Sequence, residues 1–440
     1  MAIEGGKGMT GGARTTVPRL PTPTREAVDL AGGGQNRVVP DLIIFANAAG
    51  MGSTDPQMSG GDRIWIELSK RWAASGARVT LSCGRSGALM FSRYSSEKSG
   101  VCVDESGPSS HDGQSLWRTI LYEVATVISG TIAIPRLSRN ATTVYIASSD
   151  FIPDFLPALL SRFKGGDRTR LVATLWITAP NPFGPDTPYR GRRKLENLAI
   201  FVNQMVVRPL LERFSEMIWV TNDRDRQDLL DRTGLPAGRI LSVMGGVDRN
   251  IHCPAPNPLA PVYDGVFVGR LHPQKGVLEL IEIWKRVVRL RPKARLAIVG
   301  DGPLRREVTD RIRELGLSSS IMMLGFLDGS AKVTVLQSSK IFLHPVLRDS
   351  GGMASVEGMS CGLPVVCFDL PALESYLPRG AVKVPPYNLD LFAKKVVELA
   401  EDDVFRLRLA DEAVQYATSW DWSKRATDCL NAIKDLISGP

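Results

Sequence analysis

Two carboxylates, Asp349 and Glu357, bracket a pair of glycines in the stretch from Arg348 to Val366, RDSGGMASVEGMSCGLPVV. Gly351 and Gly352 are followed by Met353, Ala354, Val356 and Met359, apolar at roughly helical spacing. Cys361-Gly362 then stops the run before the apolar segment Leu363–Phe368. The pattern predicts a loop, a short helix, a glycine stop and a buried strand. Glycines just ahead of a helix let a ligand approach the backbone, and the first unbonded N–H groups of the helix point at an anion. Carboxylates beside them accept from hydroxyls. Donors for phosphate and acceptors for hydroxyls together suit a sugar nucleotide. Two cations add to this set: Arg270, directly after Gly269, and Lys275. Arginine forks onto two oxygens and lysine acts as a point charge, so the pair fits a diphosphate. Taken singly, a capped helix and solvated loop charges explain the same residues. The functional reading needs them to meet in space.

Meeting is what the surrounding elements predict. Asp41–Ala46 reads as a buried strand, followed by a Gly-rich loop over 50–61 and a helix from about Asp62 with Ile64, Leu68 and Trp72 on one face. Gly76 ends that helix and Val79-Thr80-Leu81 is the next strand, a βαβ unit. Its loop is not GxGxxG, which disfavours a dinucleotide. Further strands are expected at 144–147, 171–177, 218–220 and 240–244, with helices between them. Pro209 is expected to kink or split the helix from about Arg192 to Phe214. Residues 117–134 read as a buried or interfacial helix. The second half starts afresh: strand 265–269, amphipathic helix 277–290, strand 295–300, a charged helix to Leu315, strand 321–324, helix 331–338 and strand 341–343. Strands alternating with helices in both halves predict two doubly wound α/β domains facing across a cleft, with the C-terminal helix crossing back to the first. In open sheets of this kind ligands sit beyond the carboxyl ends of the strands. Gly269, Arg270, Lys275 and Asp349 all follow strands of the second half. The expected division is an extension over 1–35, a first domain over 36–250, a linker over 251–261, a second domain over 262–415 and a C-terminal helix over 416–440.

The totals narrow the class. A chain of 440 residues exceeds one ordinary core. Apolar content of 43% and charged content of 23% are those of a globular protein. Six cysteines and four histidines are scattered without metal-ligand spacing, so buried thiols in a reducing compartment and no zinc are expected. The net charge of +8 suits anionic substrates or a membrane surface. Nucleic acid is disfavoured, because no basic block is interleaved with aromatics. No apolar run reaches the ~18 residues of a spanning helix, and the Gly- and Thr-rich N-terminus does not read as a secretory signal.

The blocks Val268–Gly276 (VGRLHPQKG), Ile298–Pro303 (IVGDGP), Asp349 with Glu357 eight residues on, and Gly362–Val366 (GLPVV) occur in order. Together they resemble the retaining GT-B glycosyltransferases of family 4, over nearly all the chain beyond its N-terminal tail. Ser59–Asp62, Val220–Asn222 and Gly245–Asp248 resemble the family's N-domain loop and its lead into the linker. The resemblance implies transfer of a sugar, with retention, from a UDP- or GDP-sugar to an acceptor hydroxyl, without a metal or other cofactor. It implies that Arg270 and Lys275 hold the diphosphate and stabilise the leaving group, beside Gly269. Asp349 would face the transferred sugar. Gly351, Gly352 and Met353 would offer N–H groups, Glu357 would bind the ribose, and Phe326 and Leu327 would line the base pocket. Gly60 and Gly61 would approach from the other domain.

Two positions depart from that family. Its first acidic residue is usually Glu, whereas here it is the shorter Asp349. A histidine common after the strand 174–178 is absent, and His344 reads as structural. The alternative reading is therefore a sugar-nucleotide-binding protein of the same fold without catalysis. An epimerase or a phosphorylase fits the motif set less well. The acceptor is expected to be a glycan, a lipid-linked molecule or a small molecule. A cytoplasmic location is expected, and basic charge with apolar helices near 117–134 and 198–211 allows a peripheral place at a membrane.

Overall fold

The computed structural model describes residues 40–438 apart from 50–57, 96–98, 106–124, 126, 130–141, 185–186, 190, 192, 257–259 and 350. The expected extension over 1–35, most of the Gly-rich loop and most of the helix expected over 117–134 lie outside the described residues.

Two parallel sheets organise the chain. The first takes β1 (Asp41–Phe45), β2 (Arg78–Cys83), β3 (Cys102–Glu105), β4 (Thr143–Ala147), β5 (Thr169–Leu175), β6 (Met217–Val220) and β7 (Ile240–Ser242) in the order β3-β2-β1-β4-β5-β6-β7. The second takes β8 (Tyr263–Val268), β9 (Leu296–Val299), β10 (Ile321–Gly325), β11 (Ser339–His344), β12 (Val365–Phe368) and β13 (Ala381–Val384) in the order β10-β9-β8-β11-β12-β13. Parallel sheets are covered on both faces, so their strands read as continuous apolar runs. β4, TVYIA, is buried at every position. In each sheet the order reverses once, between β1 and β4 and between β8 and β11. Loops diverge there and leave a crevice at the carboxyl ends.

Helices α1 (Gly60–Ala74), α2 (Arg85–Tyr94), α3 (Ile152–Gly165), α4 (Arg193–Phe214) and α5 (Asp223–Thr233) accompany the first sheet. Helices α6 (Val277–Leu290), α7 (Arg305–Glu314), α8 (Gly329–Gln337), α9 (Met353–Ser360), α10 (Leu389–Glu401) and α11 (Asp403–Ala417) accompany the second. α6 shows how sequence sets position. Val277, Leu280, Ile281, Trp284 and Val287 repeat at helical spacing and are all buried, each worth about 1.5–3 kcal/mol. The last helix, α12 (Trp422–Ser438), returns to the first domain. Its Trp422, Ala426, Cys429 and Ile433 join the core around α1, and the Trp72 indole donates to the Ala426 carbonyl at 2.8 Å.

Three details differ from the sequence expectation. α4 is one continuous helix through Pro209. The carbonyl that Pro209 cannot bond belongs to Met205, itself 61% exposed, so water is at hand for it. α2 and β3 give no periodic signal and are visible only in the structure. β7 ends at Ser242 rather than Met244.

Candidate functional site

The crevice of the second sheet is built by a short loop laid against another. After β8 the chain forms a 3-10 turn over Pro273–Lys275, closed by Gly276 in the left-handed conformation (φ 63°). The Leu347 and Arg348 amides both donate to the Gln274 carbonyl, at 3.0 and 3.3 Å. A side chain at Gly276 would come within 1.8 Å of the Pro345 carbonyl, so only glycine permits this approach. The result is a 2.5 Å ion pair between Lys275 Nζ and Asp349 Oδ2. Lys275 and Asp349, 74 positions apart in sequence, are thus joined at the crevice. Arg270 is exposed on the same loop, and its charge acts on His272 and Tyr189. Burial, with Arg270 and Lys275 adding, holds His272 down at about 4.

α9 starts directly beyond Asp349. Its N-cap is Gly352, and among the described residues no side chain caps its first turn. The first-turn N–H groups are therefore available to an anion. The Gly351 amide donates to Asp349 Oδ1 at 3.4 Å. A side chain on Gly351 would meet the Tyr376 phenol at 2.5 Å, so this glycine also serves packing.

The first domain comes down on this turn. A Cβ on Gly60 would lie 3.5 Å from the Met353 methyl, and one on Gly245 would lie 2.6 Å from its sulfur. Gly61 instead makes room for Trp176, whose Cδ1 would be 2.7 Å from a Cβ there. Trp176 stands in the segment where the resemblance looks for a histidine. Its indole donates to the Ser148 carbonyl at 2.6 Å. Ser59 and Asp62 form a capping box for α1, which gives Asp62 a structural role. Arg348 reaches across to donate to the Thr178 carbonyl at 3.0 Å, and the Tyr376 hydroxyl donates to the Thr221 carbonyl at 2.8 Å.

Glu357, one turn into α9, sits in a buried ionic cluster that sequence reasoning missed. Arg63 from α1 lies 3.2 Å from it, Lys332 from α8 at 3.0 Å and His252 from the interdomain passage at 3.7 Å. Burial pushes the carboxyl up, but Lys332, Arg63 and His252 outweigh it and hold the pKa below the usual glutamate range. Three elements distant in sequence supply the partners, so no spacing could have revealed them. A cavity of about 650 Å³ opens alongside, lined from both domains by Arg63, Tyr94, Asp248, His252 and Asp328 among others. Phe326, two residues before the lining Asp328, is 45% exposed, while Leu327 packs partly buried against the core. Gly269 lies at the end of β8, with the Phe267 ring 3.1 Å from a Cβ position there.

A second buried acidic group lies at the carboxyl end of β4. Asp154 accepts from the Ser148 and Ser149 hydroxyls and from the Ala48 amide at 2.9 Å, pinning the loop after β1. Burial pushes its pKa up to about 7, and that of Asp150 to about 6. Among the described residues no group of three His, Cys, Asp or Glu could hold a metal ion. No described helix is long and apolar enough to cross a membrane.

Known proteins resemble parts of this chain in sequence and nearly the whole of it in fold. Residues 263–420 match the family described as "Glycosyl transferases group 1". A phosphatidyl-myo-inositol mannosyltransferase of Mycobacterium leprae (strain TN) is 29% identical over 250 residues, 55% of this chain and 65% of that protein. A D-inositol 3-phosphate glycosyltransferase of Corynebacterium glutamicum (strain R) is 26% identical over 243 residues, 51% of this chain and 58% of that protein. The chain thus spans less than two thirds of the length of these relatives. Among solved structures, sucrose-phosphate synthase from Thermosynechococcus elongatus superposes with a TM-score of 0.69 at 14% identity, covering 91% of this chain and 100% of that one. Anabaena HepE, in complex with UDP and glucose, gives 0.67 at 16% identity, covering 90% and 99%. The fold is therefore GT-B: two Rossmann-like domains, the second including the residues, 263–420, that match the group 1 family.

Proposed function

We propose that this chain transfers a sugar from a nucleoside-diphosphate sugar to an acceptor hydroxyl, with retention of configuration. One observation carries the reading. Lys275 and Asp349 meet at the uncapped start of α9, at the strand-order reversal of the second sheet and under the first domain. A diphosphate entering there would draw Lys275 from Asp349, leaving Asp349 to accept from sugar hydroxyls. Lys275, Arg270 and the backbone N–H groups of Gly351, Gly352 and Met353 would then face the charge that grows as the sugar departs. In this reading the leaving diphosphate is stabilised by protein cations and needs no metal. Gly269 and Gly60 would approach the donor from the two domains. Glu357 would bind the ribose, and Phe326 and Leu327 would flank the base. The cavity beside Arg63, Tyr94 and Asp328 supports that end of the site.

The acceptor we assign is a glycan or lipid-linked hydroxyl. The relatives' names support a sugar or inositol acceptor. A lipid-linked acceptor is supported by α4, where Leu195, Val202, Met205 and Val206 expose an apolar face between Arg193-Lys194 and Arg213. Such a face suits the interface of an anionic membrane.

The test is turnover of a panel of UDP- and GDP-sugars by the purified chain and by Lys275→Ala. The expected result is hydrolysis or transfer from one donor, with kcat reduced by about 10²–10³-fold in the variant. Binding without turnover in the wild-type chain would return the non-catalytic alternative.

A further inference from the structure

His344 ends β11 and is 4% exposed. Its Nε2 is buried and makes no hydrogen bond among the described residues. The atom lies 4.0 Å from Asp349 Oδ2, beyond hydrogen-bond reach, and 3.6 Å from where a Cβ on Gly352 would stand, a position that Ser355 Oγ crowds at 2.7 Å. Leaving a buried polar nitrogen unpaired is unfavourable, and such atoms usually have a partner, whether protein, water or ligand. The charged groups facing it are Asp349 and Lys275. Burial, outweighing Asp349, keeps the ring neutral with a pKa of about 4. In its Nε2–H tautomer the neutral imidazole would be a donor, and this nitrogen has no acceptor among the described residues.

The separation of the two atoms is one that a single oxygen can bridge. An oxygen about 2.8 Å from both His344 Nε2 and Asp349 Oδ2, which are 4.0 Å apart, subtends an angle of about 90°. A hydroxyl accepts one hydrogen bond and donates another at such an angle. A carboxylate can only accept and the Nε2–H can only donate, so the two act on one hydroxyl in complementary ways.

We propose that His344 and Asp349 together grip a single hydroxyl of the transferred sugar, making His344 a specificity-determining residue for the configuration at that carbon. The inference rests on the reading of Asp349 as the residue facing the sugar. An epimer or deoxy sugar would leave the buried His344 Nε2 without its acceptor, and a buried polar group left unpaired is where discrimination is strongest. The shorter Asp349 belongs to the same arrangement, since it keeps the carboxylate near Lys275 and His344.

The experiment compares the preferred donor with its mono-deoxy analogues, one per sugar position, in wild-type protein, His344→Leu and His344→Gln. In the wild type, removal of one particular hydroxyl should lower kcat/KM by on the order of 10–100-fold. In His344→Leu the full donor should fall by a similar factor, while that one analogue falls little further. Discrimination should collapse at one carbon and persist at the others. His344→Gln, which retains a donor, should restore part of it, and His344→Asn stands in if the leucine variant fails to fold. Equal losses across all donors, or unchanged discrimination, would overturn the proposal while leaving transfer intact. No turnover of any donor by the wild-type chain would instead overturn the transferase reading and this inference with it.

Discussion

Lys332→Met tests the cluster around Glu357 most sharply. Lys332 is 5% exposed, with its ammonium 3.0 Å from Glu357 and 3.4 Å from Asp328. Methionine keeps the length and removes the charge. Glu357 would retain Arg63 at 3.2 Å, while His252 has a depressed pKa and contributes little charge at neutral pH. Breaking a buried pair costs about 3–5 kcal/mol, and the surviving arginine puts this case near 3. In a domain of this size each kcal/mol moves Tm by about 2–4 °C, so a drop of about 6–12 °C is expected by calorimetry. The pH dependence carries the diagnosis. The Glu357 carboxyl is held low in the folded protein, so its stabilisation is present above the unfolded glutamate pKa and lost as pH falls through the folded value. Removing Lys332 raises that folded value. The Tm deficit should be largest at neutral pH and above, and shrink as pH falls through the glutamate range, because the carboxyl protonates first in the variant and only at lower pH in the wild type. In a Glu357→Gln background the same substitution should cost far less. An equal loss in both backgrounds, or a deficit growing toward acid, would refute the account.

Two further outcomes follow from particular contacts. Gly276→Ala must separate the turn over 273–275 from Pro345, because its Cβ would stand 1.8 Å from that carbonyl at φ 63°. A destabilisation of about 1–3 kcal/mol in urea unfolding is expected, with transfer falling further than in an alanine substitution on the exposed face of α6. The α4 face predicts flotation with anionic vesicles. Val202→Glu with Val206→Glu should weaken it on the order of 100-fold, from two valines at about 1.5 kcal/mol each. Transfer to a water-soluble acceptor should be unchanged, and a wild-type chain that ignores every vesicle would remove the membrane reading.

The sequence by itself determined the two-sheet architecture and the polar ends of the second sheet. Continuous apolar strands such as β4, the helical spacing of Val277 to Val287, and the glycine stops after α5 and α9 are local signals, and a local signal survives in one dimension. The loop residues Arg270, Lys275, Asp349, Gly351 and Gly352 were legible for the same reason, each lying just beyond a strand. Only the tertiary structure decided what they touch. Lys275 reaches Asp349 because Gly276 admits the Pro345 carbonyl, a contact between loops far apart in the chain. Glu357 reads in sequence as an open acceptor, yet it is held among Arg63, Lys332 and His252 from three separate elements. Gly61 reads as a ligand-approach glycine, yet its space is taken by Trp176. Charge pairing and close packing are properties of distance in space, and a chain that completes one domain, builds the second and then crosses back through α12 hides those distances from any pattern of spacing.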